Sequence, residues 1–246
     1  MRTLAIVVLA VLAACASTGG NVDKSKMAEG YYMKGLSHLQ EKNYELAGVE
    51  FQRSIQTDKN NKTSYYALGV ISDMQGKLDE AAAFYEKAID IDSDFSEAHN
   101  ALGVVCFKQQ KWKDALKYFK KALANKLYTT PHLPYLNMGD LHMAQKDYGK
   151  AIEAYRESKR YANLELTIFK LGSALYESGK IKEAINEFQE GTGLSPKNAS
   201  MRYGLATALL KDGNKKAALA EFKKTIELAP QSDLALQARD YMKAIR

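Results

Sequence analysis

Small, large apolar and polar positions recur along this chain with a period far longer than that of any one helix or strand. Between residues 62 and 95 the order is Tyr65, Leu68-Gly69, Ala81, Tyr85 and Ala88. It returns 34 residues later as His99, Leu102-Gly103, Ala115, Phe119 and Ala122, and 34 residues earlier as Tyr31, Gly35, Ala47, Phe51 and Ser54. Three further copies follow: Gly139, Ala151, Tyr155 and Ser158; Gly172, Ala184, Phe188 and Gly191; Ala206, Ala218, Phe222 and Thr225. Within every copy the spacings of 12, 4 and 3 hold, while the steps between copies run 34, 34, 36, 33 and 34. Length changes therefore fall in the linking turns. Spacings of three and four place residues on one face of a helix, so each copy predicts a pair of amphipathic helices.

A period of 34 residues built from helix pairs is the signature of the tetratricopeptide repeat. The residue types have a physical reason. Glycine or alanine is needed where the first helix of a pair meets the second at close range, and the large residue four positions after Ala81 fills the gap between them. Gly76, Gly179 and Gly213 share one position between paired helices, where a left-handed cap suits glycine. Pro196 and Pro230 close the fifth and sixth copies, where a helix must end. The expected fold is an all-α tetratricopeptide repeat solenoid, a right-handed superhelix, with repeats at 28–61, 62–95, 96–131 (with a longer loop), 132–164, 165–198 and 199–232. A capping helix at 233–246 carries Leu234, Ala235, Ala238, Tyr241, Met242 and Ile245 as one stripe, as a solenoid end requires.

The first residues read as a targeting segment. Met1-Arg2 is followed by an apolar run from Leu4 to Ala14, too short to span a bilayer and of the length of a signal-peptide core. It ends in Leu12-Ala13-Ala14-Cys15, which resembles a bacterial lipobox, so residues 1–14 are expected to be a lipoprotein signal peptide and Cys15 the lipidated residue. Ala16 follows where an aspartate commonly retains lipoproteins in the inner membrane. The expected location is therefore the outer membrane, facing the periplasm and held by acyl chains. Residues 15–27 have no apolar period and are expected to be a flexible tether.

Composition narrows the function further. A hydrophobic content of 46% suffices for a continuous core, and a formal charge of +6 falls short of the clustered basic face of a nucleic-acid binder. Cys106 is read as a buried structural thiol. His38, His99, His132 and His142 show no metal-ligand spacing, and His99 occupies a packing position otherwise held by Tyr31, Tyr65 and Tyr135. Asp90, Asp92 and Asp94 resemble the start of a calcium loop, but Phe95 and Ala101 stand where it needs glycine and a carboxylate. No cofactor, metal, small-molecule substrate or nucleic acid is expected, and no enzyme. Lys113, Lys117, Lys120 and Lys121 share one outer helix surface, read first as a solvated face and otherwise as a contact for anionic lipid or an acidic partner.

The first helix of each repeat carries a second stripe, facing away from its packing residues. It holds Tyr32, Leu36 and Leu39, then Tyr66, Val70 and Met74, then Val104 and Phe107, then Leu133, Leu136 and Met143; Phe169, Tyr203 and Leu210 continue it sparsely. Such a band is expected to line the groove of the superhelix and to bind a partner, an amphipathic helix being one natural ligand. Tyr32 and Leu36 stand where repeats that grip an acidic C-terminus carry lysine and asparagine, which disfavours that ligand.

Lipobox, tether and six repeats together resemble the pilotin lipoproteins of type IV pilus biogenesis, the PilF, PilW and Tgl group. More specific is the loop Leu127-Tyr128-Thr129-Thr130-Pro131 followed by Asn137-Met138-Gly139, since a Leu-Tyr pair and a proline before Asn-x-Gly occur at this spacing in that group. Departures lie in the C-terminal repeats, where Leu194-Ser195-Pro196 is closer to generic repeat consensus. The resemblance implies an outer-membrane lipoprotein that binds the secretin subunit of the pilus machine and promotes its localisation and multimerisation. An adaptor for peptidoglycan synthases or hydrolases, also built from lipidated repeats, is the rival reading. A nucleic-acid reader conflicts with the export signal.

Overall fold

The structure, a computed structural model, describes residues 23–245. Among them are thirteen helices and no strand. Residues 23–40 are helical (α1). There follow α2 (Tyr44–Thr57), α3 (Lys62–Met74), α4 (Leu78–Ile91), α5 (Ser96–Lys108) and α6 (Trp112–Ala124). Then come α7 (His132–Ala144), α8 (Tyr148–Tyr161), α9 (Glu165–Glu177), α10 (Ile181–Leu194), α11 (Ala199–Lys211), α12 (Lys215–Leu228) and α13 (Asp233–Ile245).

The chain forms two compact units, one ending at Asn125 and the other beginning at Lys126. They divide in the longest connection between repeats, residues 125–131, against 58–61 and 92–95 at the preceding joints. Tyr128 of this loop is buried and Leu127 is 87% exposed. Pro134 lies in the first turn of α7, where its missing N–H costs no helical hydrogen bond.

Within each pair, glycine lets the two helices meet over an aromatic ring. A Cβ on Gly69 would lie 2.5 Å from the Tyr85 ring, one on Gly103 2.6 Å from Phe119, and one on Gly139 2.3 Å from Tyr155. Gly35 and Gly172 face Phe51 and Phe188 in the same way. The rings are buried and fill the space the glycines leave. Between pairs, the small position at the end of one second helix meets the start of the next first helix. Ser64 Oγ donates to Ser54 Oγ at 2.8 Å, and Ser54 Oγ donates to the Ala28 carbonyl at 2.8 Å. Two hydroxyls are thus buried there with their bonding needs met.

The turn inside each pair is left-handed at all six equivalent positions. Gly76, Gly179 and Gly213 have φ of +75°, +81° and +89°, and Lys42, Gln110 and Lys146 stand at 60°, 59° and 57° in the other three. Each closes a Schellman cap; Lys77 N donates to Ser72 O at 2.9 Å and Lys111 N to Cys106 O at 2.8 Å.

One expectation is corrected. Residues 23–27, read as the end of the tether, are already helical and largely exposed. Lys24, Lys26 and Met27 have good helix propensity, and an acid at Asp23 complements the helix N-terminal dipole, so the helix runs ahead of its first buried residue, Ala28. The signal segment and Cys15 lie outside the described residues.

Candidate functional site

In the first unit the second stripe runs along α1, α3 and α5. Tyr32, Leu36, Leu39, Tyr66, Val70, Val104 and Phe107 are half-buried, and Met74 is 58% exposed. Part of this burial comes from the repeat itself. The Tyr32 ring lies 5.6 Å from Phe51, Tyr66 lies 5.6 Å from Tyr85 and 5.4 Å from Phe95, and Phe107 lies 5.4 Å from Trp112. Each stripe aromatic thus rests one edge on its own repeat's packing and leaves the other to solvent. Burial raises the Tyr32 phenol above its ordinary range, so it stays a neutral donor. Between α5 and α3, Lys108 Nζ donates to Asp73 Oδ1 and Oδ2 at 2.6 and 2.7 Å, placing one ion pair beside the apolar residues.

In the second unit the stripe breaks. Leu133 is 37% exposed and Met143 is half-buried. Leu136 is not at the surface: it is 8% exposed and belongs to the buried cluster that holds Tyr155, Ile168 and Leu171. A leucine lacks the reach of the tyrosines at the equivalent positions 32 and 66, so it ends in the core. One turn on, Asp140 accepts from the Tyr155 hydroxyl at 2.6 Å and from Lys170 Nζ at 2.7 Å. That polar node replaces the apolar Leu36 and Val70 of the earlier repeats.

Farther along the second unit, an aromatic depression of about 320 Å³ opens between α9, α11 and α13. Phe169, Ser173, Tyr176 and Glu177 line it from α9, Tyr203 and Thr207 from α11, and Leu234 and Tyr241 from α13, with Phe188 of α10 as its floor. Gly204 lets α11 approach that floor, since a Cβ there would lie 2.7 Å from the Phe188 ring. The walls are braced from behind. Tyr241 stacks on buried Phe222 at 5.3 Å and 7°, and the Tyr203 hydroxyl donates to Gln237 Oε1 at 2.7 Å. Burial raises both the Tyr176 and Tyr203 phenols. Phe169 and Tyr203 are groove-stripe positions in the sequence and Tyr241 is part of the capping stripe, whereas Tyr176 belongs to neither. Of the capping stripe, Ala235 and Ala238 are fully buried and Met242 packs on the core, while Leu234 and Tyr241 turn to the depression.

The other polar residues singled out in the sequence fall at packing, turn and surface positions. His99 is buried, its Nε2 lies 2.9 Å from the Ser93 carbonyl, and its ring stacks on Tyr118 at 6.1 Å. Burial lowers its pKa and raises that of the buried Cys106 thiol. Asp92 bonds Lys62, which holds its carboxyl below the usual range, and accepts from the Asp94 amide at 3.0 Å, as a turn residue does. Lys113, Lys117, Lys120 and Lys121 are exposed on α6; Lys117 and Lys121 flank the Tyr118 ring at 5.8 and 5.9 Å. No group of three or more metal-ligating side chains occurs among the described residues.

Models of the tetratricopeptide repeat match residues 28–61, 96–126, 134–163 and 169–233, and a model described as TPR repeat matches 74–110. No curated protein sequence matches the chain at a significant level. Among solved structures, Pseudomonas aeruginosa PilF is similar with a TM-score of 0.77 and 20% identity, over 90% of this chain and 99% of PilF. PilW, described as a widely conserved type IV pilus biogenesis factor, is similar with a TM-score of 0.77 and 19% identity, over 86% of this chain and 97% of PilW. YrrB, described as a TPR protein with an unusual peptide-binding site, has a TM-score of 0.63 and 24% identity over 77% of this chain and 97% of its own. At these identities the likeness is one of fold. With the repeat spacing, the helix pairs and the matched models in agreement, the chain belongs to the tetratricopeptide repeat family.

Proposed function

We propose that this protein is an outer-membrane lipoprotein that binds the secretin subunit of the type IV pilus machine and promotes its localisation and multimerisation. The observation that carries the reading is the half-exposed apolar stripe of the first unit, from Tyr32 and Leu36 through Tyr66 and Val70 to Phe107. On a scaffold of helix pairs such a band suits an amphipathic segment of a partner. Similarity to PilF and PilW over nearly the whole of each chain supports the choice of partner, and the Leu12-Ala13-Ala14-Cys15 sequence supports the membrane anchor. The mechanism is physical rather than catalytic. A lipid-tethered stripe that captures an apolar secretin segment holds it at the membrane and raises its effective concentration for ring assembly.

The test is the double variant Leu36→Glu/Val70→Glu. Both side chains are half-buried and neighbour the packing glycines Gly35 and Gly69 without replacing them, so folding should survive. Docking an apolar segment would strip water from two unpaired carboxylates, at a cost on the order of several kcal/mol. Pull-down with secretin should fail, and cells making only this variant should lose heat-resistant secretin multimers. A folded double variant that binds normally excludes the stripe. If the unaltered protein binds no secretin and its deletion leaves multimers intact, the peptidoglycan-enzyme adaptor takes its place.

A further inference from the structure

The depression between α9, α11 and α13 differs in chemistry from the stripe of the first unit, and the proposed secretin contact leaves it unused. We infer that it is a second binding site, which takes the basic side chains of a partner polypeptide, arginine or lysine. Three observations carry this. Its walls carry the rings of Phe169, Tyr176, Tyr203 and Tyr241, and its volume of about 320 Å³ lies within the range of ligand sites, roughly 300–1,000 Å³. An aromatic ring attracts a cation placed over its negative face. One of these rings already has such a neighbour, because Lys211 Nζ lies 5.7 Å from the Tyr176 centroid.

Charge supplies the second argument. Glu177 is the one charged side chain in the lining, and it makes no ion pair among the described residues. An adjoining depression, formed by Tyr203, Gln237, Asp240, Tyr241 and Ala244, adds a second carboxylate. Among the described residues Asp240 pairs with Lys243, at 3.1 Å with both side chains at least 75% exposed, a pair too solvated to hold it. Among the described residues no basic side chain is part of either lining, although Lys211 stands beside the Tyr176 ring, in a chain of net charge +6. An anionic guest would be repelled. A purely apolar guest would desolvate Glu177 without a partner, which is unfavourable. A guest with an alkyl stem and a cationic head satisfies both the rings and the acid.

The third argument concerns the size of the guest. The two depressions adjoin at Tyr203 and Tyr241, and each has one acid in its lining. Side chains projecting from one polypeptide suit that arrangement better than a single compact cation does.

The experiment uses the full chain and fluorescein-labelled peptides of sequence Ala-Leu-Arg-Ala-Leu-Arg-Ala, with norleucine or glutamate at both arginine positions as comparisons. Binding is followed by anisotropy. The arginine peptide should bind at least tenfold more tightly than the norleucine peptide, and the glutamate peptide should not saturate. Glu177→Gln should weaken the arginine peptide about tenfold and leave the norleucine peptide unchanged. Thr207→Trp, which fills the depression, should weaken both. Leu36→Glu/Val70→Glu should bind the arginine peptide normally, so failure here and failure of the secretin contact are separable. Equal binding of the arginine and norleucine peptides, or indifference to Glu177→Gln, overturns the site. Tetramethylammonium chloride that binds as tightly as the arginine peptide overturns the polypeptide assignment.

Discussion

Gly191 at the end of α10 and Met201 at the start of α11 are matched in size. A Cβ on Gly191 would lie 2.4 Å from both Sδ and Cε of Met201, and both residues are buried. The equivalent joint in the first unit holds two serines, Ser54 and Ser64, joined by a hydrogen bond of 2.8 Å. The fifth and sixth repeats thus reach the same close packing with one side chain enlarged and the other removed.

That relationship predicts a change of sign. Gly191→Ala should destabilise the protein by about 1–3 kcal/mol, the usual cost of overpacking. In a Met201→Ala background the clash is gone, and the helix preference of alanine over glycine, about 1 kcal/mol, should make the same substitution neutral or stabilising. Chemical denaturation of the four proteins of this double-mutant cycle measures the coupling. Additive effects would show that the two side chains do not share the joint.

The left-handed turns predict where stability can be gained. Lys42, Gln110 and Lys146 have φ near +60°, a region that costs a side chain about 1 kcal/mol or more. Replacing each by glycine should stabilise the fold by about 0.5–1 kcal/mol, after the extra entropy glycine carries in the unfolded chain. Gly76→Ala should lose about 1 kcal/mol. Unfolding midpoints of the four single variants check both signs.

His99 predicts a dependence on pH. Burial lowers its folded pKa below the ordinary 6.5, opposed by the Ser93 carbonyl and by Asp94 and Asp92, and assisted by Lys121. Above pH 6.5 the imidazole is neutral in both states and contributes no pH dependence. As pH falls below 6.5 the unfolded chain takes up a proton that the folded chain refuses, so stability drops until the lowered folded pKa is reached. His99→Tyr, the residue type at positions 31, 65 and 135, should remove this part of the acid loss. Melting temperatures of both proteins between pH 5 and 8 test it; parallel curves would contradict the mechanism.

Cys15 predicts a covalent outcome. Cells supplied with labelled palmitate should label the protein, and Cys15→Ala should abolish both the label and its recovery with the outer membrane. Label retained in the variant would exclude a lipobox.

Much of this molecule is written in local spacing. Glycine and the ring it faces, such as Gly103 and Phe119, lie on consecutive helices of one pair, so their separation of 16 residues is visible without the fold. Helix type, repeat number and the small contact positions follow from such local distances. Other features depended on which neighbours each position meets in space. Tyr32 and Leu136 share one place in the repeat, yet one is half-buried at the surface and the other is in the core, because side-chain length against the second helix decides how far each emerges. Nothing marks Lys42 as left-handed except the turn that its equivalent, Gly76, also makes. Tyr176 and Tyr241 enclose one depression from helices far apart in sequence; their convergence depends on the stacking of α9, α11 and α13, which no spacing within a single repeat encodes.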